Sequence, residues 1–338
     1  MAILGGYALT FLAGVMAGTN LVPLKWIRVW RWENFWLIYS IISLLVVPLC
    51  LAFLFVPHLA MVYASVPFSA MVRPFLYGAL WGIAQLGAGI CVDKIGLALT
   101  GSILNGLCAS LGTLTPLIFL HAELLSKPSG QLLLAATAVM MLGVSLCGCA
   151  GYQREKTQST AAAIGSTKTY VLVMVLAVVS GFLAAMLNIT LAFGGDIIQM
   201  AGAQGAPATW AVFSVWPIAL LGGLLVNLGY SFYLLSRNRT WGKFAEKPRE
   251  IGSPILGGLI WMMAIAIYSS GTVLLGILGT SVGWAFFQMT AILSVNVAGL
   301  MTGEWKATAR RILKLNLAGV LALLVATIMM ATANYSAH

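Results

Sequence analysis

The sequence predicts an all-α polytopic membrane protein, with ten transmembrane helices forming two inverted five-helix repeats. Three observations lead there. Hydrophobic residues make up 61% of the 338 positions and charged residues only 8%, with a mean hydropathy of +0.98. A soluble domain carries about a quarter charged residues. The chain also breaks into ten apolar runs, each close to the roughly 20 residues that a bilayer crossing needs. Finally, landmarks of the first half return in the same order in the second.

Taken in order, the spans are expected near 4–23, 34–56, 74–93, 96–120, 130–152, 169–194, 207–235, 252–275, 279–302 and 312–334. The first run has no charge before Lys25. A secretory leader would begin with basic residues, so this run reads as a retained span. Between the first two spans, Trp26, Trp30, Trp32 and Trp36 alternate with Lys25, Arg28 and Arg31. Amphipathic rings and long cations of this kind suit the headgroup level. Loops after odd-numbered spans hold 16 Lys and Arg, against 2 (Arg73 and Lys127) on the other side. The positive-inside rule then puts both termini outside.

The repeat rests on spacing. GALWG from Gly78 has a counterpart in GGLIW from Gly257, which makes Trp81 and Trp261 counterparts. The stretch Gly96–Glu123 has a counterpart in Gly279–Glu304: a shift of 183 residues puts Gly96 on Gly279 and Asn105 on Gln288. The two glutamates are 181 apart, so the match needs a two-residue gap. This divides the chain into a first repeat at 1–152, a polar cytoplasmic linker at 153–168 and a second repeat at 169–338. Five spans per repeat is an odd number, so the second copy enters the membrane from the opposite face, as in many secondary transporters.

Several functions are excluded. The net charge of +10 lies in loops between spans, which is topology rather than a nucleic-acid surface. The five cysteines lie in apolar stretches and read as small hydrophobes. Cys147 and Cys149 are too closely spaced for a metal or redox pair. Neither a catalytic set nor a cofactor or metal motif can be assembled, so an enzyme is not expected.

The landmarks resemble the L-rhamnose–proton symporter family of bacterial sugar transporters, within the drug/metabolite transporter superfamily. The resemblance is carried by Pro23 with the basic-aromatic run to Trp32, by GALWGIAQ from Gly78 to Gln85, by Asn227-Leu228-Gly229, and by Glu304-Trp305 followed by Arg310-Arg311. It implies a multi-pass inner-membrane carrier, working as a single chain, that takes up a deoxyhexose such as L-rhamnose with protons. A proton-coupled carrier ordinarily has a titratable group within the membrane. Here every acid maps to a span end or a loop. Asp93, ending span three, and Asp196, after span six, stand nearest to such a role.

A neutral sugar asks for hydroxyl partners and a flat apolar surface. Amides donate and accept without the desolvation cost of a charge, and an indole offers a face and an N–H. Gln85, Asn105, Asn188 and Gln288 are the amides well inside predicted spans. Trp81 stands four residues before Gln85 and Trp284 four before Gln288, so each pair shares a helix face. Trp261 and Tyr268 share one face of span eight. These eight residues are the expected sugar contacts. The alternative for each amide is a hydrogen bond between helices. Competing readings of the whole are a proton-independent carrier, exchanger or exporter of another polar metabolite, and a non-transporting membrane receptor.

Overall fold

The computed structural model describes residues 2–158, 167–301, 305 and 308–337. Among them all regular secondary structure is helical. In chain order the helices are α1 (Ala2–Thr19), α2 (Trp32–Ile41), α3 (Val47–Phe55), α4 (Leu59–Ser65), α5 (Phe68–Ile95), α6 (Leu97–Leu120), α7 (Pro128–Gln158) and α8 (Thr167–Ala184). There follow α9 (Met186–Ala192), α10 (Gly195–Ala203), α11 (Ala208–Ala211), α12 (Trp216–Arg237), α13 (Lys243–Glu246), α14 (Gly252–Leu274), α15 (Gly279–Met301) and α16 (Arg310–Ser336). Within the described residues, nine helical segments are long and apolar enough to cross a membrane. They fall on every expected span except the ninth, and α15 covers that stretch as a helix.

The breaks within spans have local causes. Between α2 and α3 the backbone forms one π turn, Ile42–Val46, in which the Val47 N–H reaches back to Ile42 O. Pro48 follows at once. Proline has no N–H for the carbonyl four residues earlier, and its ring crowds that carbonyl, so the ladder slips. Span six is three helices in series, α8 to α10, and continues to Ala203 instead of stopping near 194. Span seven begins as α11, tightens into a 3₁₀ turn at Val212–Ser214 and continues as α12, with Pro217 in the first turn of that last piece. Pro116, by contrast, sits inside a continuous α6. The short α4 lies in a connection that the hydropathy pattern leaves unassigned.

Contacts group the chain into two compact units. The first is Met1–Ile83 with Leu187–Gly276, and the second is Ala84–Met186 with Ile277–His338. Each unit draws on both halves of the sequence. The linker between those halves falls partly on 159–166, outside the described residues.

Inside the first unit α1 crosses α14 at glycine. A Cβ at Gly6 would lie 3.0 Å from Gly271 O, and one at Gly271 would lie 2.7 Å from Thr10 Oγ1. Helix α5 crosses α12 as closely: a Cβ at Gly78 would run into Ala219 O, and one at Gly82 would lie 2.9 Å from Gly223 Cα. Inside the second unit α7 and α16 form the most extensive pair. There a Cβ at Gly319 would lie 2.6 Å from Cys147 Sγ and 2.9 Å from Gly143 O. Also in that unit, a Cβ at Gly87 on α5 would run into Ser180 Oγ on α8. Lipid tails are as apolar as leucine, so close backbone approach over small residues, with dispersion contacts, holds such pairs together.

Candidate functional site

Polar side chains on apolar helices gather in each unit. In the first unit the Trp81 and Trp261 rings stack, with centroids 5.3 Å apart and planes at 23°. Gly223 makes room for Trp81: its Cβ would lie 3.2 Å from the indole edge. On the same helix the Asn227 amide donates to Gly223 O at 2.8 Å and accepts the Trp36 indole N–H at 2.8 Å. Trp36 in turn stacks on Tyr39, with centroids 5.1 Å apart, and the Tyr39 hydroxyl donates to Asn20 Oδ1 at 2.9 Å. Asn20 donates its own amide back to Ala17 O. An aromatic and amide chain thus runs from Trp261 through Trp81 to Gly223, and from Gly223 through Asn227 and Trp36 to Tyr39 and Asn20.

Sequence reasoning put weight on Trp81 and Trp261 but missed Trp36 and Tyr39, having assigned the tryptophan run to the interface. The available signal was the spacing of Trp36 and Tyr39, three apart on one helical face. Asn188 lies apart from this chain. It is fully buried, and its Oδ1 accepts the hydroxyl of the equally buried Tyr268. Trp216 is likewise buried and donates to Ser269 Oγ at 3.0 Å.

In the second unit the expected residues converge on one turn of α6. The Trp284 indole N–H donates to Cys108 O at 3.0 Å, and Gln288 Nε2 donates to Cys108 Sγ at 3.4 Å. Gly112 is the reason the indole reaches that carbonyl, because a Cβ there would run into Trp284 Nε1. Sulfur is a weak acceptor, so the half-buried Gln288 amide keeps most of its capacity. Asn105 precedes Cys108 by three residues and so lies on the neighbouring helical face. It is exposed, and Gln85 is half-buried. Neither side chain makes a hydrogen bond to another described residue. The structure therefore brings Asn105, Trp284 and Gln288 to one turn of α6.

The acids divide differently. Asp196 lies in the first turn of α10 and is exposed. The Asp93 side chain and Glu304 lie outside the described residues. Glu33 and Glu250 are buried in the first unit, both hydrogen-bonded. Among the described residues no group of three or more His, Cys, Asp or Glu lies together. The chemistry on offer is neutral: amide donors and acceptors beside indole faces, suited to hydroxyl groups and C–H surfaces.

Known proteins agree with this chemistry. The chain is 26% identical over 298 residues to an L-rhamnose-proton symporter of Shigella dysenteriae serotype 1, covering 86% of each. It is 25% identical over 334 residues to one of Yersinia pestis, covering 96% of each. A protein of the same name from Escherichia coli O1:K1 matches at 26% over 298 residues. The model of the family described as L-rhamnose-proton symport protein (RhaT), a family of transporters and not of enzymes, matches residues 1–334. Over almost its whole length, then, the chain belongs to the L-rhamnose-proton symport protein family.

Proposed function

We propose that this chain is a secondary transporter of the bacterial inner membrane that takes up L-rhamnose or a similar deoxyhexose by proton symport. The observation that carries the reading is the family match over residues 1–334. The site chemistry supports it. Gln85 and Asn105 hold their amides uncommitted, Gln288 holds its amide nearly so, and we assign these three to the sugar hydroxyls. The buried Trp284 fixes the α6 turn beside them. In the first unit, taken by itself, the half-exposed Trp261 stacked on Trp81 offers an aromatic face of the kind a sugar meets. Asn188 and Tyr268, bound to one another in the interior, support the fold of the first unit.

Transport proceeds by alternating access through ten spans in two inverted repeats, with both termini outside and one chain sufficient. Two matching crossings support the repeat. Thr10 on span one packs against Gly271 on span eight, and Ser180 on span six packs against Gly87 on span three. Spans one and six are equivalents in such a repeat, as are spans three and eight, so each crossing is a small hydroxyl set against glycine on the same two equivalent helices.

The test is uptake of labelled L-rhamnose into proteoliposomes. Accumulation against a gradient when the interior is made alkaline is the expected result. Saturable uptake that ignores the proton gradient favours the second reading, a proton-independent carrier or exchanger. That reading draws on one observation: Asp196, expected after span six, falls within the helical segment Thr169–Ala203 but is exposed, and the other acids whose side chains are described sit at span ends or in connections. Absence of saturable sugar uptake or binding overturns both.

A further inference from the structure

Two connections of the first unit are tied into one surface. The Glu250 carboxylate accepts the backbone N–H groups of Arg28 at 2.9 Å, Val29 at 3.1 Å and Trp30 at 2.9 Å. Lys247 Nζ lies 3.3 Å from the same carboxylate. Glu33 Oε1 accepts from Asn238 at 3.1 Å and from the Thr240 hydroxyl at 2.8 Å, while Asn34 donates to Thr240 O at 3.0 Å. The Trp30 ring meets Phe244 edge-on at 4.9 Å. Ser253 Oγ donates to Pro23 O. Residues 23–34 and 238–253 thereby form a single platform.

The platform sorts its charges by depth. Glu33 and Glu250 are 5% and 6% exposed. The third acid, Glu246, is paired with Lys243 at 3.7 Å. The cations Arg28, Arg31, Arg237, Arg239 and Arg249 all face outward. Among them stand exposed indoles: Trp26 at 59%, Trp32 at 38% and Trp241 at 44%. A topological charge bias needs only an excess of cations in the sequence. It does not need buried acids or a backbone held in place by them.

We infer that this platform binds the phosphate-bearing headgroups of anionic phospholipids. Guanidinium forks match phosphate oxygens. Tryptophan beside them belongs at headgroup depth, where basic residues are drawn to an anionic surface. The surface continues directly into spanning helices α2, α12 and α14, so the partner it meets is the bilayer itself.

The experiment places the full chain in nanodiscs of phosphatidylcholine alone or mixed with phosphatidylglycerol and follows thermal unfolding. Phosphatidylglycerol is expected to raise the melting midpoint by several degrees. The triple variant R28Q/R31Q/R249Q should lose most of that rise, while R310Q/R311Q/K314Q, which removes the same number of exposed cations from the second unit, should keep it. Equal loss in both triples would mean that net charge alone acts, and would overturn the inference. So would a rise that inorganic phosphate reproduces in phosphatidylcholine, or no rise in the parent chain. If the first triple does not fold, R28K/R31K/R249K keeps the charge but not the fork. A smaller phosphatidylglycerol effect in that variant supports the site, and an unchanged one overturns the guanidinium recognition.

Discussion

Asn188 in the first unit and Asn105 in the second carry the same amide on equally apolar helices, yet their surroundings are opposite. Asn188 is fully buried, with its oxygen given to the Tyr268 hydroxyl. Asn105 is exposed and makes no hydrogen bond to another described residue. A buried amide must be satisfied by the protein, because leaving it unmade costs about 1–3 kcal/mol. An exposed amide on a spanning helix keeps its capacity for something else. The two residues are indistinguishable in sequence, and the difference between holding a fold and holding a ligand lies in which capacity is already spent.

Substitutions can break that contrast, and the largest effect falls on what positions the site. Gly112→Leu drives a side chain into Trp284 Nε1. Folded yield by size-exclusion chromatography should collapse, and transport with it. Next, Asn188→Ala removes the buried hydrogen bond to the Tyr268 hydroxyl and should cost about 1–3 kcal/mol of stability. That appears as a lower melting midpoint, with rhamnose affinity of the folded fraction unchanged. Asn105→Ala and Gln288→Ala should do the reverse: each weakens rhamnose binding about tenfold, one hydrogen bond's worth, while the melting midpoint stays put. Should Asn188→Ala alter affinity and Asn105→Ala alter only stability, the assignment is inverted. The smallest effect belongs to Gly101→Ala, whose added Cβ meets nothing closer than the Asn105 amide at 3.9 Å. It should shift stability by under about 0.5 kcal/mol.

The spans were legible because an apolar run of the right length has few other fates, and nine of ten expected positions coincide with long apolar helices. The repeat spacing singled out Gln288 and Asn105, and Gln288 lies against Cys108, three residues after Asn105 on α6. Two kinds of feature were not legible. Trp36 looked like an interfacial aromatic and Tyr39 went unremarked, because composition does not say that their polar ends meet Asn227 and Asn20. Glu33 and Glu250 looked like solvated loop charges, since their burial depends on partners more than 200 residues away. Hydropathy reads each segment alone, and these contacts belong to none alone.

The Glu250 clasp also sets a schedule. The Arg28 amide leaves the ribosome 222 residues before the carboxylate that will hold it. At a synthesis rate of about 5–20 residues per second, the loop waits about 10–45 s for its partner. During that interval the first two spans are inserted but unlatched, and their connecting amides rely on water. Biogenesis of the first unit therefore completes late, after residues 187–276 have joined residues 1–83. A nascent chain halted before Glu250 should expose the Arg28–Trp30 segment to protease, and one released beyond it should not.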